Sequence, residues 1–344
     1  MQQSCLRHSI GELALTAQVT ATQAKILKEL LVDGRKTENE IAKKLHLTKE
    51  AIKRNYHQME ENGIITGATI HINYKNFGYK AVAHILINLD PCQADEFVKY
   101  LQKMPEIYGF YNREVKGNMD VIVILKSFEH LNEIKDSFKS NFAIFEMKTA
   151  IWTDVKEMNY NLAIIPDNST IKEASKQEIQ TKERETLPKT LTIDEIDQKI
   201  ADKLAINGRI SMDNLSKEIG VSPDIAKRRY KKLKDNGVLK VTIQINPINL
   251  GYQAICVFFT TTSHEKPDLI IEEVSEIPNV ISIMKTAGDY DLQIYALVQD
   301  IGQLLYIQEQ IGKIPGISKI DPEISRIREE LKKWPSPRQY ISTF

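Results

Sequence analysis

The residue types with the clearest chemical purpose are cations, and they cluster twice. Residues 43–57 hold Lys43, Lys44, Lys49, Lys53 and Arg54 against a single carboxylate, Glu50. Residues 223–234 hold Lys227, Arg228, Arg229, Lys231, Lys232 and Lys234 against Asp224. Cations packed this closely suit phosphate oxygens, which duplex DNA presents about every 1.7 Å along its axis. A second constellation is Gly288-Asp289-Tyr290-Asp291. Backbone amides of a glycine turn suit a carboxylate, and an Asp side chain suits an ammonium. The chain shows no Ser/His/Asp set, Walker loop, GxGxxG or metal-ligand spacing. Cys5, Cys92 and Cys256 are scattered and odd in number, which supports neither a disulfide frame nor a zinc site. No catalytic residue, metal or cofactor is expected.

The elements that position these groups must fit in 344 residues, a length suited to two domains or several smaller ones. The apolar fraction of 42% and charged fraction of 27% are those of an ordinary globular chain. No apolar run approaches the length needed to span a bilayer, so no membrane partner is expected. The N-terminal stretch lacks the apolar core of a signal peptide, and the expected compartment is the cytoplasm. Lys and Arg total 46, as do Asp and Glu. Zero net charge at first argues against a nucleic-acid partner. Its distribution argues otherwise. Residues 20–71 carry nine basic against seven acidic residues, and 191–246 carry eleven against eight. Residues 72–160 carry eleven against twelve, and 247–344 nine against thirteen.

The two basic regions match each other. A shift of 174 places residues 25–63 on 199–237 with eleven identities, among them Gly34/Gly208, Arg35/Arg209, Lys53/Lys227, Arg54/Arg228, Tyr56/Tyr230 and Gly63/Gly237. Further on, Gly78-Tyr79 matches Gly251-Tyr252 at a shift of 173, and Gly117…Asp120 matches Gly288…Asp291 at 171. Ordered anchors with small slips are the pattern of a tandem duplication.

Each basic region predicts three short helices. Thr22–Val32 is apolar-periodic and stops at Asp33-Gly34. Thr37 and Glu40 have capping-box spacing, and Thr48 is placed to cap a third helix. In the second region, Thr192 and Glu195 are the predicted capping pair, and Ser222-Pro223 opens the third helix. Asn62-Gly63 and Asn236-Gly237 end the third helices. Tyr56 and Tyr230 fall on the apolar faces and are expected in the core. After each stop, Ile64–Asn73 and Val238–Asn246 predict a strand pair forming a wing. Three helices with a tight turn between the second and third read as helix-turn-helix, whose third helix enters the major groove. The expected partner is double-stranded DNA. The candidate contacts are Thr48, Lys49, Lys53, Arg54, Ser222, Lys227, Arg228, Arg229 and Lys231. Two heads predict at least two half-sites.

The remainder of each half predicts βαββαβ, a ferredoxin-like plait. In the second half the strands are Ala254–Thr261, Val280–Thr286, Leu292–Val298 and Ile317–Ile324. In the first they are Val82–Leu89, Tyr108–Glu114, Val121–Leu125 and Phe145–Trp152. Runs such as Val121-Ile122-Val123-Ile124 predict burial of both sheet faces, and sheet-to-sheet association supplies the cover. The fold class expected is α+β: winged helix-turn-helix domains at 20–72 and 191–246, α/β regulatory domains at 73–160 and 247–330, a charged linker at 161–190 and a C-terminal tail at 331–344.

The strings "DEIDQKIADKLAINGRIS", "GVSPDIAKRRYKKLKDNGVLK", "INPINLGYQA", "AGDYDLQI" and "IPGIS" resemble the leucine-responsive/asparagine-synthesis regulator family (Lrp/AsnC) of prokaryotic transcription factors. The first half matches more weakly, through "LVDGRKT", "LTKEAIKRNYHQMEENGIITG" and "GNMD". The resemblance implies a winged helix-turn-helix joined to a regulatory (RAM-type) module that oligomerises and can bind an amino acid or related effector. It places that effector near Gly288, Asp289, Tyr290 and Asp291. Asn118 and Met119 replace the corresponding Asp and Tyr in the first half. Family members usually carry one copy, so this chain looks like a covalent dimer. Siroheme decarboxylases share the architecture, but the stretches Tyr108–Arg113 and Ile281–Thr286 lack the histidine that resemblance would require. A metabolite sensor without DNA binding is a further alternative.

Overall fold

The computed structural model describes residues 19–104, 106–113, 115–157, 161–163, 191–263 and 267–327. Cys5, most of the expected linker and the tail from 331 lie outside these residues. The first part of the chain runs α1 (Ala21–Val32), α2 (Glu38–Leu45), α3 (Lys49–Glu61), β1 (Ile65–Ile72), β2 (Ala81–Leu89), α4 (Ala94–Leu101), β3 (Ile107–Asn112), β4 (Asn118–Leu125), α5 (Phe128–Asn141) and β5 (Ile144–Glu157). The later part runs α6 (Glu195–Ile206), α7 (Met212–Ile219), α8 (Pro223–Asp235), β6 (Leu239–Ile245), β7 (Ala254–Thr262), α9 (Pro267–Ser275), β8 (Val280–Ala287), β9 (Leu292–Val298), α10 (Ile301–Gly312) and β10 (Ile317–Arg326). The fold is α+β, with helix-turn-helix and ferredoxin-like parts. Among the described residues no helix is long and apolar enough to cross a membrane.

The helical parts begin where short polar side chains can satisfy the first free amides. Thr37 and Glu40 form the expected capping box of α2. The cap of α6 differs from expectation. It is Asp194, whose carboxylate accepts from the Asp197 amide, and not the Thr192/Glu195 pair. Gly63 and Gly237, at φ 62° and 65°, supply the left-handed turn out of the third helices.

The wings also differ from expectation. Among the described residues neither helical part has a strand pair of its own. Instead β1 and β6 pair with each other, antiparallel, from Ile65↔Ile245 to Ile72↔Leu239. Each third helix is thus followed by one strand, and a lone strand leaves its backbone groups unpaired until it meets the other. The resulting ribbon joins the two helical parts.

The other eight strands form one sheet, in the order β10-β7-β9-β8-β5-β2-β4-β3. The seam is β5 against β8, from Ile151↔Ala287 to Glu157↔Ser282. The sheet folds back on itself. His84 on β2 stacks on Phe259 of β7 with centroids 6.2 Å apart, and Arg113 after β3 bonds Glu323 on β10. One face of β2 (Ala83, Ile85, Ile87) packs with Phe97 of α4 and Phe138 of α5. On β7, Cys256 and Phe258 likewise pack under Ile270 of α9 and Ile307 of α10. The opposite faces, through Val82, Trp152, Val257, Phe259 and Tyr295, meet each other. Both faces are buried, as the continuous apolar runs predicted.

The first residues of the expected linker are tied down. The Asn161 side-chain amide reaches the carbonyls of Ser275, Ile277 and Val280, and Leu162 is buried. Asn279, at φ 67°, accepts from the Ala163 amide and the Tyr252 hydroxyl.

Candidate nucleic-acid interface and regulatory turn

The two helical parts are joined through the ribbon by the same contacts in exchanged order. The Gly34 amide donates to Val241 O at 2.9 Å, and the Gly208 amide to Ala68 O at 2.8 Å. Thr69 Oγ1 donates to Ala205 O at 2.8 Å, and Thr242 Oγ1 to Leu31 O at 3.0 Å. The Arg35 guanidinium lies 5.1 Å from the Tyr230 ring centroid, and that of Arg209 lies 4.9 Å from the Tyr56 ring. Each contact maps onto its counterpart when the halves are exchanged. That reciprocity is the signature of an approximate two-fold axis. Thr69 pairs directly with Thr242 on the ribbon, so the axis passes there.

Side chains larger than hydrogen do not fit at the glycines. A Cβ at Gly34 would lie 2.7 Å from the Thr242 carbonyl carbon, and one at Gly208 would lie 2.9 Å from Thr69 O. The Gly-Arg pair after each first helix thus has a job that its repetition in the sequence signals but does not explain. Tyr56 and Tyr230 are half-buried beneath the opposing arginines, and burial raises both phenols. Their apolar spacing predicts a place in the core. The structure puts them at the rim of that core, each packed against a buried cluster of its helical part and under the opposing arginine.

The candidate contacts separate into three groups. Thr48 accepts from the Ala51 amide and Ser222 from the Ile225 amide, so both serve as exposed N-caps. Arg229, Lys231 and Lys49 face carboxylates. Arg229 Nη1 lies 2.6 Å from Asp194 and 3.3 Å from Asp197, Lys231 pairs with Asp235, and Lys49 lies 3.8 Å from Glu38. The Asp197 amide and then Arg229 hold the Asp194 carboxyl below its ordinary range. Arg229 therefore braces α8 against the start of α6. Lys53, Arg54, Lys227 and Arg228 are exposed, and none meets a carboxylate among the described residues. These four occupy matching positions on α3 and α8, one turn inside the N-terminus. The positive helix end adds to their charge.

The turn at 288–291 is knitted into its own sheet. The Asp291 carboxylate accepts from the Thr262 amide at 2.7 Å and the Thr262 hydroxyl at 3.1 Å. Thr286 Oγ1 donates to Tyr290 O. Tyr290 donates to Asp321 Oδ2 at 2.7 Å, and that carboxylate pushes the phenol up to about 12. Gly288 and Asp289 are exposed, and a Cβ on Gly288 would approach Thr149 O of β5 to 3.5 Å. The turn thus lies against the strand contributed by the first half. In the first half, Asn118 and Asp120 belong to β4 itself.

Asp120 anchors a network that the sequence did not reveal. His84 is fully buried. Its Nε2 lies 2.8 Å from Asp120 Oδ1 and its Nδ1 lies 3.0 Å from Gln293 Oε1. Trp152 Nε1 donates to the same Gln293 oxygen at 2.9 Å. Arg113 spans Asp120 at 3.2 Å and Glu323 at 3.1 Å, and burial raises the Glu323 carboxyl. The only advance signal was a histidine inside the apolar run "AVAHILINL". Of the cysteines, Cys92 is exposed and Cys256 buried, its thiol pushed up to about 12 by burial.

Three family models match the chain: a winged helix-turn-helix DNA-binding domain over residues 20–66, an AsnC-type helix-turn-helix domain over 193–234, and an Lrp/AsnC ligand binding domain over 254–332. The chain is 32% identical over 142 residues to the HTH-type transcriptional regulator LrpA of Pyrococcus horikoshii, covering 41% of this chain and 99% of that protein. It is 29% identical over 126 residues to the regulator FL11 of the same organism, covering 36% of this chain and 83% of FL11. Among solved structures, the siroheme decarboxylase NirDL is similar over 91% of this chain and 94% of its own, with TM-score 0.57 and 13% identity. At that identity the likeness is one of fold alone.

Proposed function

The chain belongs to the Lrp/AsnC family of transcriptional regulators, and from this we propose that it is a two-headed, sequence-specific DNA-binding regulator. The domains are 20–72 and 191–246 for DNA, and 73–160 and 247–330 for regulation. The heads derive from a tandem duplication. The repeat at a shift of 174 and the recurring element order support this.

One observation carries the DNA reading. Lys53, Arg54, Lys227 and Arg228 are exposed cations without carboxylate partners among the described residues, at equivalent positions of two third helices joined by the β1–β6 ribbon. Phosphate contacts of this kind set register, and neighbouring side chains read base edges. Thr48 and Ser222 hold the helix ends that enter the groove. Lys49 and Lys231 contribute from exposed positions, and Arg229 acts by orienting α8. A gel-shift series on the protein's own upstream region tests the reading. Affinity should fall steeply with salt, and removing one phosphate-binding cation should reduce the slope by about one. Lys227→Ala with Arg228→Ala should weaken binding and flatten the slope. Unchanged affinity sinks the assignment.

The regulatory parts oligomerise and take an amino acid or related effector at the 288–291 turn. Gly288 and Asp289 supply free amide and carboxylate groups, while Tyr290 and Asp291 shape the turn from within. A thermal-shift panel of amino acids should yield a ligand whose effect Asp289→Ala removes. The whole-chain likeness to a siroheme decarboxylase raises an enzymatic alternative. Against it, the relatives carry the names of regulators, and the buried His84 has both ring nitrogens committed to Asp120 and Gln293.

A further inference from the structure

We infer that the two heads read a duplex whose half-sites differ in sequence, so that the preferred operator is a hybrid and not a palindrome. The inference rests on the DNA-reading proposal and specifies its partner.

The scaffold between the heads is near-symmetric. The amide bonds of Gly34 and Gly208, the hydroxyl bonds of Thr69 and Thr242, and the stacked pairs Arg35–Tyr230 and Arg209–Tyr56 are reciprocal. Two-fold geometry presents the third helices to two half-sites in opposed orientation. A dimer of identical chains would carry identical side chains there, and its best site would be an inverted repeat. This chain holds the same geometry with different side chains.

Most of the differences lie on the exposed face beside the shared cations, where bases would be read, while the half-buried pair Asn55/Arg229 differs in how it braces its helix. Lys53/Lys227 and Arg54/Arg228 are the same in both helices, which suits backbone contacts that carry no sequence information. Around them the helices diverge: Lys49 against Pro223, Asn55 against Arg229, His57 against Lys231 and Gln58 against Lys232. The divergent residues also point their polar groups differently. Asn55 Nδ2 bonds its own helix at Ala51 O, and His57 meets Glu60. Arg229 is committed to Asp194 and Asp197. Over the whole helices, α3 carries three cations against three carboxylates, and α8 six against two. Like scaffold and unlike reading face together select one duplex with two different halves.

The test is selection of duplexes from a randomised library by the full chain, followed by footprinting. The expected motif has two unlike half-sites. The hybrid should be bound about tenfold or more tighter than either palindrome built from one half, since a mismatched base pair costs roughly 1–3 kcal/mol. On the hybrid, Lys53→Ala with Arg54→Ala should weaken protection over one half, and Lys227→Ala with Arg228→Ala over the other. A palindromic motif, or a palindrome bound as tightly as the hybrid, overturns the inference and leaves DNA reading intact. Protection that falls equally over both halves in both variants also overturns it. Failure to select any duplex above background overturns the DNA-reading proposal itself.

Discussion

The two junctions between the halves of the chain are built on opposite principles. Between the helical parts the amide, hydroxyl and ring contacts have mirrors: Gly34 with Gly208, Thr69 with Thr242, and Arg35–Tyr230 with Arg209–Tyr56. The Arg35 bonds to the Gly208 and Ile210 carbonyls and the Lys234–Asp33 pair add to one side only. Between the facing parts of the folded sheet the polar network has no such mirror among the described residues. The first half gives His84, Asp120, Arg113 and Trp152, and the second gives Gln293 and Glu323. The matching turns make the contrast concrete. Asp120 is buried beneath a histidine and an arginine, whereas its counterpart Asp291 is exposed and ties the end of β7. Reciprocal contacts keep the two helical parts in a set relation. One-sided contacts free one turn, at 288–291, from the task of holding the sheets together.

The largest expected effect tests this contrast directly. Asp120→Ala leaves Arg113 and His84 without their shared carboxylate between the sheets. Removing one partner from a buried charged set costs about 3–5 kcal/mol. Asp291→Ala removes exposed bonds to Thr262 and should cost about 1 kcal/mol. Urea denaturation of both variants measures the difference. Equal losses would mean that the two turns carry the same load.

A smaller effect tests the symmetry of the other junction. Gly34→Ala and Gly208→Ala each drive a Cβ into the opposing strand's backbone. Overpacking of this kind costs roughly 1–3 kcal/mol. The two losses should agree with each other within error by the same denaturation measurement. A large loss at only one glycine would break the two-fold description.

What could be foreseen from the sequence divides along the same line. The caps at Thr37, Thr48 and Ser222, the glycine stops and the strand order were legible because each depends on residues a few positions apart. The α6 cap was misplaced because Thr192 and Asp194 both offer an acceptor oxygen before the helix. The decisive factor is distant: Asp194 also receives Arg229. The wings were misread because β1 and β6 lie some 170 residues apart, and local alternation says that a strand forms, not which strand it meets. The four free cations were legible as a patch, but separating them from Arg229 and Lys231 required their carboxylate partners to be seen in place. The His84 network joins residues from six strands or their ends, and no spacing in the chain announces it.

The smallest expected effect concerns one matched pair with opposite charge. Lys28 on α1 and Asp202 on α6 are equivalent at the shift of 174. Both are partly buried, and desolvation favours the neutral form of each. It lowers the Lys28 ammonium and raises the Asp202 carboxyl to about 6. Between the ordinary carboxylate value of 3.8 and about 6, the folded chain holds a proton on Asp202 that the unfolded chain has lost. Stability therefore falls as pH rises through that window and stays lowered above it. Asp202→Asn removes the penalty, so the variant should melt above the parent at pH 7.5, with the gap closing toward pH 4. Lys28 has the reverse sign, because its folded form releases the proton first. Lys28→Met should also gain stability at pH 7.5, but that gain should shrink as pH rises into the alkaline range. Thermal melts of the two variants across pH 4 to pH 10 would separate them. A gap for Asp202→Asn that persists at pH 4 would show that the carboxyl is solvated in the folded chain, and the pair would then be matched in position but not in environment.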